Sequence, residues 1–280
     1  MNILKYLQNN DSLKIKKIFD EFYNMDLPEF STGYWPLFLF VIFFVIIAGR
    51  YFLVSGIFYF IFYNKGNDKW SERRINKTGF RKGQLHKEMK YSTINAIIFA
   101  FIAMLTMILW QKGFMKVYLE INDYPLWYLP VSLLIYLFLQ ETYYYWIHRW
   151  MHIPSVFKIV HLVHHQSKIS SPFTAFSFHP IEGVLQAIIL PVLFLFIPIH
   201  LYVLIIILTI MSITSVINHL GIELYSKNSY SWFGKWVIGA SHHSLHHTRF
   251  NYNYGLFFTI WDRWLKTESE GFEEVFKGER

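Results

Sequence analysis

Long apolar runs alternate with short polar stretches along the 280-residue chain. The hydrocarbon core of a bilayer is about 30 Å thick and an α-helix rises about 1.5 Å per residue, so about 18 or more apolar residues in a row predict a spanning helix. Such runs occupy roughly 34–62, broken only by Arg50, then roughly 92–110 and roughly 127–147. From 183 to 222 the chain has no Asp, Glu, Lys or Arg, and Pro191 and Pro198 punctuate the run. That pattern predicts a helical hairpin turning near Pro198 and His200, its arms short enough to dip deeply without each spanning at an ideal length. The expected fold class is an all-α integral membrane protein with four or five membrane helices. The expected organisation is an N-terminal surface segment at 1–33, without the charge and cleavage pattern of a signal peptide, followed by one membrane-embedded domain over 34–280.

Charge sets the orientation. The 64–90 stretch holds nine Lys and Arg against three acidic residues, a net of +6, whereas the loop after the second run balances Lys112 and Lys116 against Glu120 and Asp123. By the positive-inside rule the basic loop is cytoplasmic. Counting spans from there returns the chain to the cytoplasmic side near His148 and again near His219. A multi-pass protein with a cytoplasmic helical cap is the simplest architecture. The basic loop is expected to dock either anionic lipid or an acidic electron carrier.

Composition sharpens the picture. Hydrophobic residues make up 54% and charged residues 16%, well short of the roughly 25% charged of a soluble domain. There is no cysteine, which leaves His, Asp and Glu as the strong metal ligands. No module combining basic and aromatic residues points to nucleic acid.

The histidines carry the chemistry. Five fall within "HRWMHIPSVFKIVHLVHH", and "SHHSLHH" repeats the pattern almost a hundred residues later. His148 and His152 are spaced i, i+4, while His161, His164 and His165, like His243, His246 and His247, are spaced i, i+3, i+4, so each set lies on one helical face. Eight histidines exceed the four ligands of a closed zinc site, and two metals would use them all. Two ions a few Å apart can activate dioxygen or bridge a hydroxide, whereas a lone zinc commonly serves hydrolysis, and the apolar setting points to a lipid substrate. Isolated His86 and His200 read as structural, and His242 is left open. His179, in "HPIEG", is either a ligand or a helix cap. His219, at the exit of the hairpin, is within reach of a metal site at the membrane surface. Glu141, two turns before His148 on the same face, is expected to hold an imidazole tautomer, with a hydrogen bond to a tyrosine as the alternative. "HRWMH" and "HLVHH" lack the glutamate of a zincin protease, and no nucleotide-binding or nucleophile-elbow motif is present.

These residues resemble the fatty acid hydroxylase and sterol desaturase superfamily, whose H-x-x-x-H, H-x-x-H-H and late H-x-x-H-H read here as "HRWMH", "HLVHH" and "HSLHH". The likeness is strongest to sterol desaturases of the lathosterol oxidase type and covers about 129–265. The resemblance implies a dinuclear centre of two Fe ions, open to zinc on purification, which uses dioxygen to hydroxylate or desaturate a lipid of sterol or fatty-acyl type. Electrons would come from a separate donor protein, cytochrome b5-like or ferredoxin-like. It also implies that His148, His152, His161, His164, His165, His243, His246 and His247 are ligands, with His219 and His179 as further ones. Glu182 stands where sterol desaturases of that type usually have Asp, and with Glu141 it is the candidate catalytic carboxylate. The alternatives are a zinc-dependent membrane lipid hydrolase, which needs a positioned base and no electrons, and a membrane metal transporter, which needs histidines along a path through the bilayer.

Overall fold

The computed structural model describes residues 27–63 and 68–279. Most of the expected N-terminal surface segment, and part of the basic loop, lie outside the described residues. Helix α1 (Trp35–Tyr63) and helix α2 (Gln84–Gln111) form an antiparallel pair, and helix α3 (Tyr128–Met151) follows. Two short helices, α4 (Pro154–Val160) and α5 (Leu162–His165), carry the middle histidine motif. The charge-free run folds as the expected hairpin, α6 (Pro180–Phe196) and α7 (Leu201–Asn218), with its turn at 197–200. Helix α8 (Ala240–Arg249) and two short helices, α9 (Ile260–Trp264) and α10 (Phe272–Lys277), complete the chain. Two-residue strands, β1 (Val117–Tyr118) and β2 (Ile199–His200), pair in parallel and tie the loop after α2 to the hairpin tip. His200 is structural there: one ring nitrogen accepts from the Tyr202 amide and the other lies 3.0 Å from the Leu119 carbonyl.

Three of the described helices, α1, α2 and α7, are long and apolar enough to cross a membrane. Helix α6, at 17 residues, is apolar but shorter. Helix α3 has the length but not the composition. Its first half is apolar, while Gln140, Glu141, Thr142, His148 and Arg149 make the second half polar. Sequence counting placed α2 at 92–110, but the helix begins eight residues earlier, at Gln84, where a polar extension is anchored by Gln84 donating to Glu88 and to the Ile169 carbonyl.

The outer faces of α1 and α2 expose Leu37, Val41, Val45, Phe60, Phe101 and Leu105, as expected of surfaces that meet lipid. Apolar side chains gain little by leaving one hydrocarbon for another, so helices in a bilayer associate through close packing and interhelical hydrogen bonds, worth about 0.6–2 kcal/mol each. Tyr51 and Ser55 of α1 donate to the Phe173 and Pro172 carbonyls, Ser215 of α7 to Ala175, and Tyr136 and Tyr143 of α3 to Ile197 and Leu185. The segment 166–178 is thus clasped by α1, α2 and α7. Its Ser171 caps a 3-10 turn over Pro172–Phe176 in a reciprocal capping box with Thr174. Where α6 crosses α2, Gly183 is obligatory, since a Cβ there would sit 1.9 Å from Asn95 Oδ1. Asn95 is fixed by donating to the Phe176 and Phe178 carbonyls.

Candidate metal centre

The last turn of α3 places His148 on its buried face, four residues beyond Tyr144, and His152 caps the helix C-terminus. Pro154 starts α4 at a position where its missing N–H costs nothing. The chain then breaks at His161, and this break turns His164 and His165 of α5 toward different neighbours. His219 caps the C-terminus of α7. Helix α8 brings His243, His246 and His247 in from the far side. The tips of α3, α5, α7 and α8 therefore converge at one end of the helix bundle.

Nine histidines form two groups there. His148, His152, His161, His165 and His246 make one; His164, His219, His243 and His247 make the other. Within each group, one ligand atom per residue lies within 4.8 Å of all the rest. All nine are buried except the half-buried His152. The two groups abut, with the His165 and His247 rings 4.8 Å apart and those of His161 and His164 5.2 Å apart.

The ring orientations fit a metal. Nδ1 of His148, His246, His164 and His219 faces the backbone carbonyls of Tyr254, Tyr252, Ser177 and Ser215 at 2.8, 2.7, 3.3 and 2.7 Å. Nδ1 of His161 lies 2.9 Å from Glu182 Oε2. An acceptor opposite Nδ1 requires a proton on it, which leaves the lone pair of a neutral ring on Nε2. Those Nε2 atoms then face one another: 3.1 Å for His148–His161, 3.0 Å for His165–His246, 3.2 Å for His164–His219 and 2.9 Å for His219–His243. Protons are scarce there, because burial first and the neighbouring imidazoles second push His161, His164, His165, His243, His246 and His247 well below the usual histidine range. Burial brings His219 down to about 4. Lone pairs facing at such distances repel unless a cation lies between them. Neutral imidazole is a ligand of Fe, Zn, Cu and Ni, so the two groups fit two transition-metal ions.

The structure places the remaining predicted residues individually. Glu182, in the first turn of α6, is fully buried against His161, as a carboxylate that fixes a ligand's tautomer would be. Glu141 touches neither a histidine nor a tyrosine. Its carboxylate accepts the backbone amides of Leu256, Phe257 and Phe258 at 3.0, 2.6 and 3.1 Å. His179 stands outside both groups as the N-cap of α6, its Nδ1 accepting from the Ile181 amide. His242 also lies outside them, packed on Phe272 with Nε2 3.7 Å from Asp262.

Three buried carboxylates escaped sequence reasoning. Asp262 accepts the amides of Tyr254 and Gly255 and the hydroxyl of Thr267 at 2.8, 2.9 and 2.8 Å. With Glu141 it grips, from two sides, the loop whose Tyr252 and Tyr254 carbonyls orient His246 and His148. Gly255 lets the gripped loop close, because a Cβ there would meet the Phe258 carbonyl oxygen at 2.6 Å. Glu223 accepts the Ser241 amide in the first turn of α8, where the helix dipole favours an anion. Glu88 of α2 accepts from Gln84, Ser167, Ser171 and Thr174, and so fixes the segment after the middle motif. These partners lie 4 to 86 residues away along the chain, and most are backbone amides or small hydroxyls, which mark no pattern in the sequence.

Comparison with known proteins agrees with this geometry. The fatty acid hydroxylase family model matches residues 133–267. Human lathosterol oxidase is 34% identical over 190 residues, covering 66% of this chain and 61% of that protein. Rat lathosterol oxidase is 31% identical over 219 residues, covering 76% and 68%. A Candida albicans Delta(7)-sterol 5(6)-desaturase is 30% identical over 223 residues, covering 76% and 52%. This chain therefore spans roughly half to two thirds of these relatives. No solved structure matches it. The matched region contains every histidine of both groups, and the chain belongs to the fatty acid hydroxylase family, among relatives named as sterol desaturases and lathosterol oxidases.

Proposed function

We propose that this protein is a di-iron, dioxygen-dependent membrane oxidase that hydroxylates or desaturates a lipid of sterol or fatty-acyl type. The observation that carries this reading is the convergence of nine imidazoles, eight buried and one half-buried, into two abutting groups, with Nδ1 of five of them facing a carbonyl or carboxylate and Nε2 atoms turned toward one another. Two irons held by those groups would supply the redox capacity to activate dioxygen against an unactivated C–H bond. The overall reaction takes one dioxygen, two electrons from a donor protein and two protons. Desaturation removes two hydrogens from the lipid and releases two waters; hydroxylation inserts one oxygen atom and releases one water.

The chain's own groups prepare the site. The carbonyls of Ser177, Ser215, Tyr252 and Tyr254, with the carboxylate of Glu182, hold the ligand rings in one tautomer. The Glu182 carboxyl, facing His161 Nδ1, would offset part of the metals' charge. Burial of the imidazoles excludes bulk water from the reacting end of the lipid. The basic loop puts this end of the bundle on the cytoplasmic side, within reach of a cytochrome b5-like or ferredoxin-like donor, and α3 and α6 embed beside the three long apolar helices. A hydrolase would need a free carboxylate base beside the metals, but those of Glu141 and Glu182 are already engaged. A transporter would need histidines along the spanning helices, whereas the groups gather at one end.

The direct test is lipid product. Membranes from cells expressing the protein, supplied with 18O-labelled dioxygen and reductant, should yield a lipid that has either gained one labelled oxygen or lost two hydrogens. His219→Ala should abolish that product. Conversion that persists without dioxygen, or with release of a free acid or alcohol, would replace the oxidase by a hydrolase.

A further inference from the structure

A second site lies outside the metal centre. The last turns of α1 carry Tyr59 and Tyr63, stacked with ring centroids 5.6 Å apart, and Phe80 packs on Tyr63 at 5.0 Å. With Arg74, Asn76 and Thr78 these rings line a cavity of about 180 Å³. The cavity sits at the end of a helix long enough to cross a membrane, which is the headgroup level of a bilayer and the depth at which tyrosines concentrate.

One donor of its polar wall lacks a partner. Arg74 lies with its guanidinium carbon 5.0 Å from the centre of the Tyr63 ring. Its Nε is buried and meets no hydrogen-bond acceptor, an arrangement that is costly unless a ligand answers it. The buried Glu88 carboxylate acts electrostatically on Tyr63 but is engaged by its four donors, so it does not neutralise Arg74. Lys77, Arg81 and Lys82 add positive charge along the same loop. A planar guanidinium with an unanswered Nε donor, on an aromatic face and beside amide and hydroxyl groups, matches phosphate oxygens in geometry and charge. Pockets that take whole small molecules run to about 300–1,000 Å³, so this one suits a headgroup whose acyl chains stay in the bilayer. It is also too small and concave for a protein surface.

From these features we infer that this cavity binds the phosphate of an anionic phospholipid drawn from the surrounding leaflet. The inference rests on the membrane setting and not on the oxidase reading. The floor of the cavity links it to the metal centre. Gly221, two residues after His219, lines it, and the strand-like pairing of Arg74 with Ile222 and the hydrogen bond from Ile75 N to Gly221 O (3.0 Å) join its wall to the segment leaving that ligand.

The test measures binding by native mass spectrometry on the full chain, delipidated in detergent and titrated with phosphatidylglycerol, with diacylglycerol of the same acyl chains, or with inorganic phosphate. Phosphatidylglycerol should bind one per chain, at least about tenfold tighter than diacylglycerol. Arg74→Ala should weaken it about tenfold, while Arg81→Ala, on the same loop but outside the cavity, should stay within about twofold. A thermal melt shows whether Arg74→Ala is folded. If it is not, the paired Asn76→Ala and Thr78→Val substitutions, which leave the Arg74–Ile222 pairing intact, should weaken phosphatidylglycerol several-fold. Equal binding of diacylglycerol, or phosphatidylglycerol binding that ignores both sets of substitutions, would overturn the site. Displacement of phosphatidylglycerol by inorganic phosphate at matched concentration would mean a free-phosphate site and would overturn the lipid assignment. Because no turnover is measured, failure here leaves the oxidase reading standing, and failure of that reading leaves this result standing.

Discussion

Each imidazole proposed as a ligand has two nitrogens with separate tasks, and the outward one is the more informative to test. Among the described residues, Glu182 supplies the one carboxylate that pairs with a grouped histidine, His161, at 2.9 Å. Loss of such an outer partner costs about 10–100-fold in metal affinity or activity. Glu182→Ala should therefore lower iron affinity by about that factor, and Glu182→Asp, the residue usual in sterol desaturases of the lathosterol oxidase type, should recover part of it. Titration with a competing chelator reads both. His179→Ala should leave the iron content of the purified protein unchanged, since that ring caps α6 and reaches no ligand group. Loss of one iron on that substitution would restore His179 to the ligand set.

The same residues set an acid limit. His219 falls from the ordinary 6.5 to about 4 through burial, and six other ligand histidines fall well below 6.5. A group whose folded-state pKa is depressed binds more protons unfolded than folded, so stability falls as pH drops. The loss begins near 6.5 and runs down through about 4, and protons competing with metal for Nε2 act in the same direction. Thermal midpoints recorded between pH 8 and 5 should fall steadily below about pH 6.5 and be accompanied by metal release. A flat profile would contradict neutral, buried ligand rings.

At the scale of elements, the centre depends on how helices far apart in sequence grip the segments between them. Gly183 lets α6 cross α2 against Asn95, and overpacking of a tight crossing costs about 1–3 kcal/mol. Gly183→Ala should lower the thermal midpoint of the solubilised protein, and adding Asn95→Gly should return part of the loss by removing the clashing amide. No recovery would mean that the glycine serves something other than the crossing.

This is also the scale at which the sequence was least legible. Histidine spacing located eight of the nine grouped rings, and the hairpin exit pointed to His219, because dense imidazoles at helical spacing have no ordinary packing role. The runs gave α1, and the charge-free stretch gave α6 and α7. Helix α3 was read as an apolar run over roughly 127–147, whereas its second half carries Gln140, Glu141 and His148 buried against protein. Glu88 looked like one more charge of the basic loop, yet it is buried under four donors. Asp262 and Glu223 bind backbone amides, and backbone partners leave no mark in a sequence. Glu141 was expected to partner an imidazole; its carboxylate instead accepts the amides of Leu256, Phe257 and Phe258 and grips the loop whose carbonyls face His148 and His246.

At the scale of the whole molecule, the ends of α1, α3 and α7 and the start of α2 meet at the histidine-bearing end. The Tyr63 hydroxyl donates to the Leu220 carbonyl beside His219, and Gln84 donates to Ile169 beyond the middle motif. The chain has no cysteine, so single cysteines report topology without a background. Lys77→Cys and Glu270→Cys should be labelled by an impermeant thiol reagent only from the cytoplasmic side, and Asp123→Cys only from the other. Labelling of Lys77→Cys and Asp123→Cys from the same face would break the proposed orientation.

The most direct test of a dinuclear centre is metal stoichiometry resolved by group. Gently purified, iron-loaded protein should hold two irons per chain and consume dioxygen when given reductant and a lipid extract. His148→Ala, in the five-histidine group, and His243→Ala, in the four-histidine group, should each leave close to one iron and no lipid-stimulated dioxygen uptake. A single iron in the unaltered protein, lost equally with either substitution, would mean that the two groups form one site and would contradict the account.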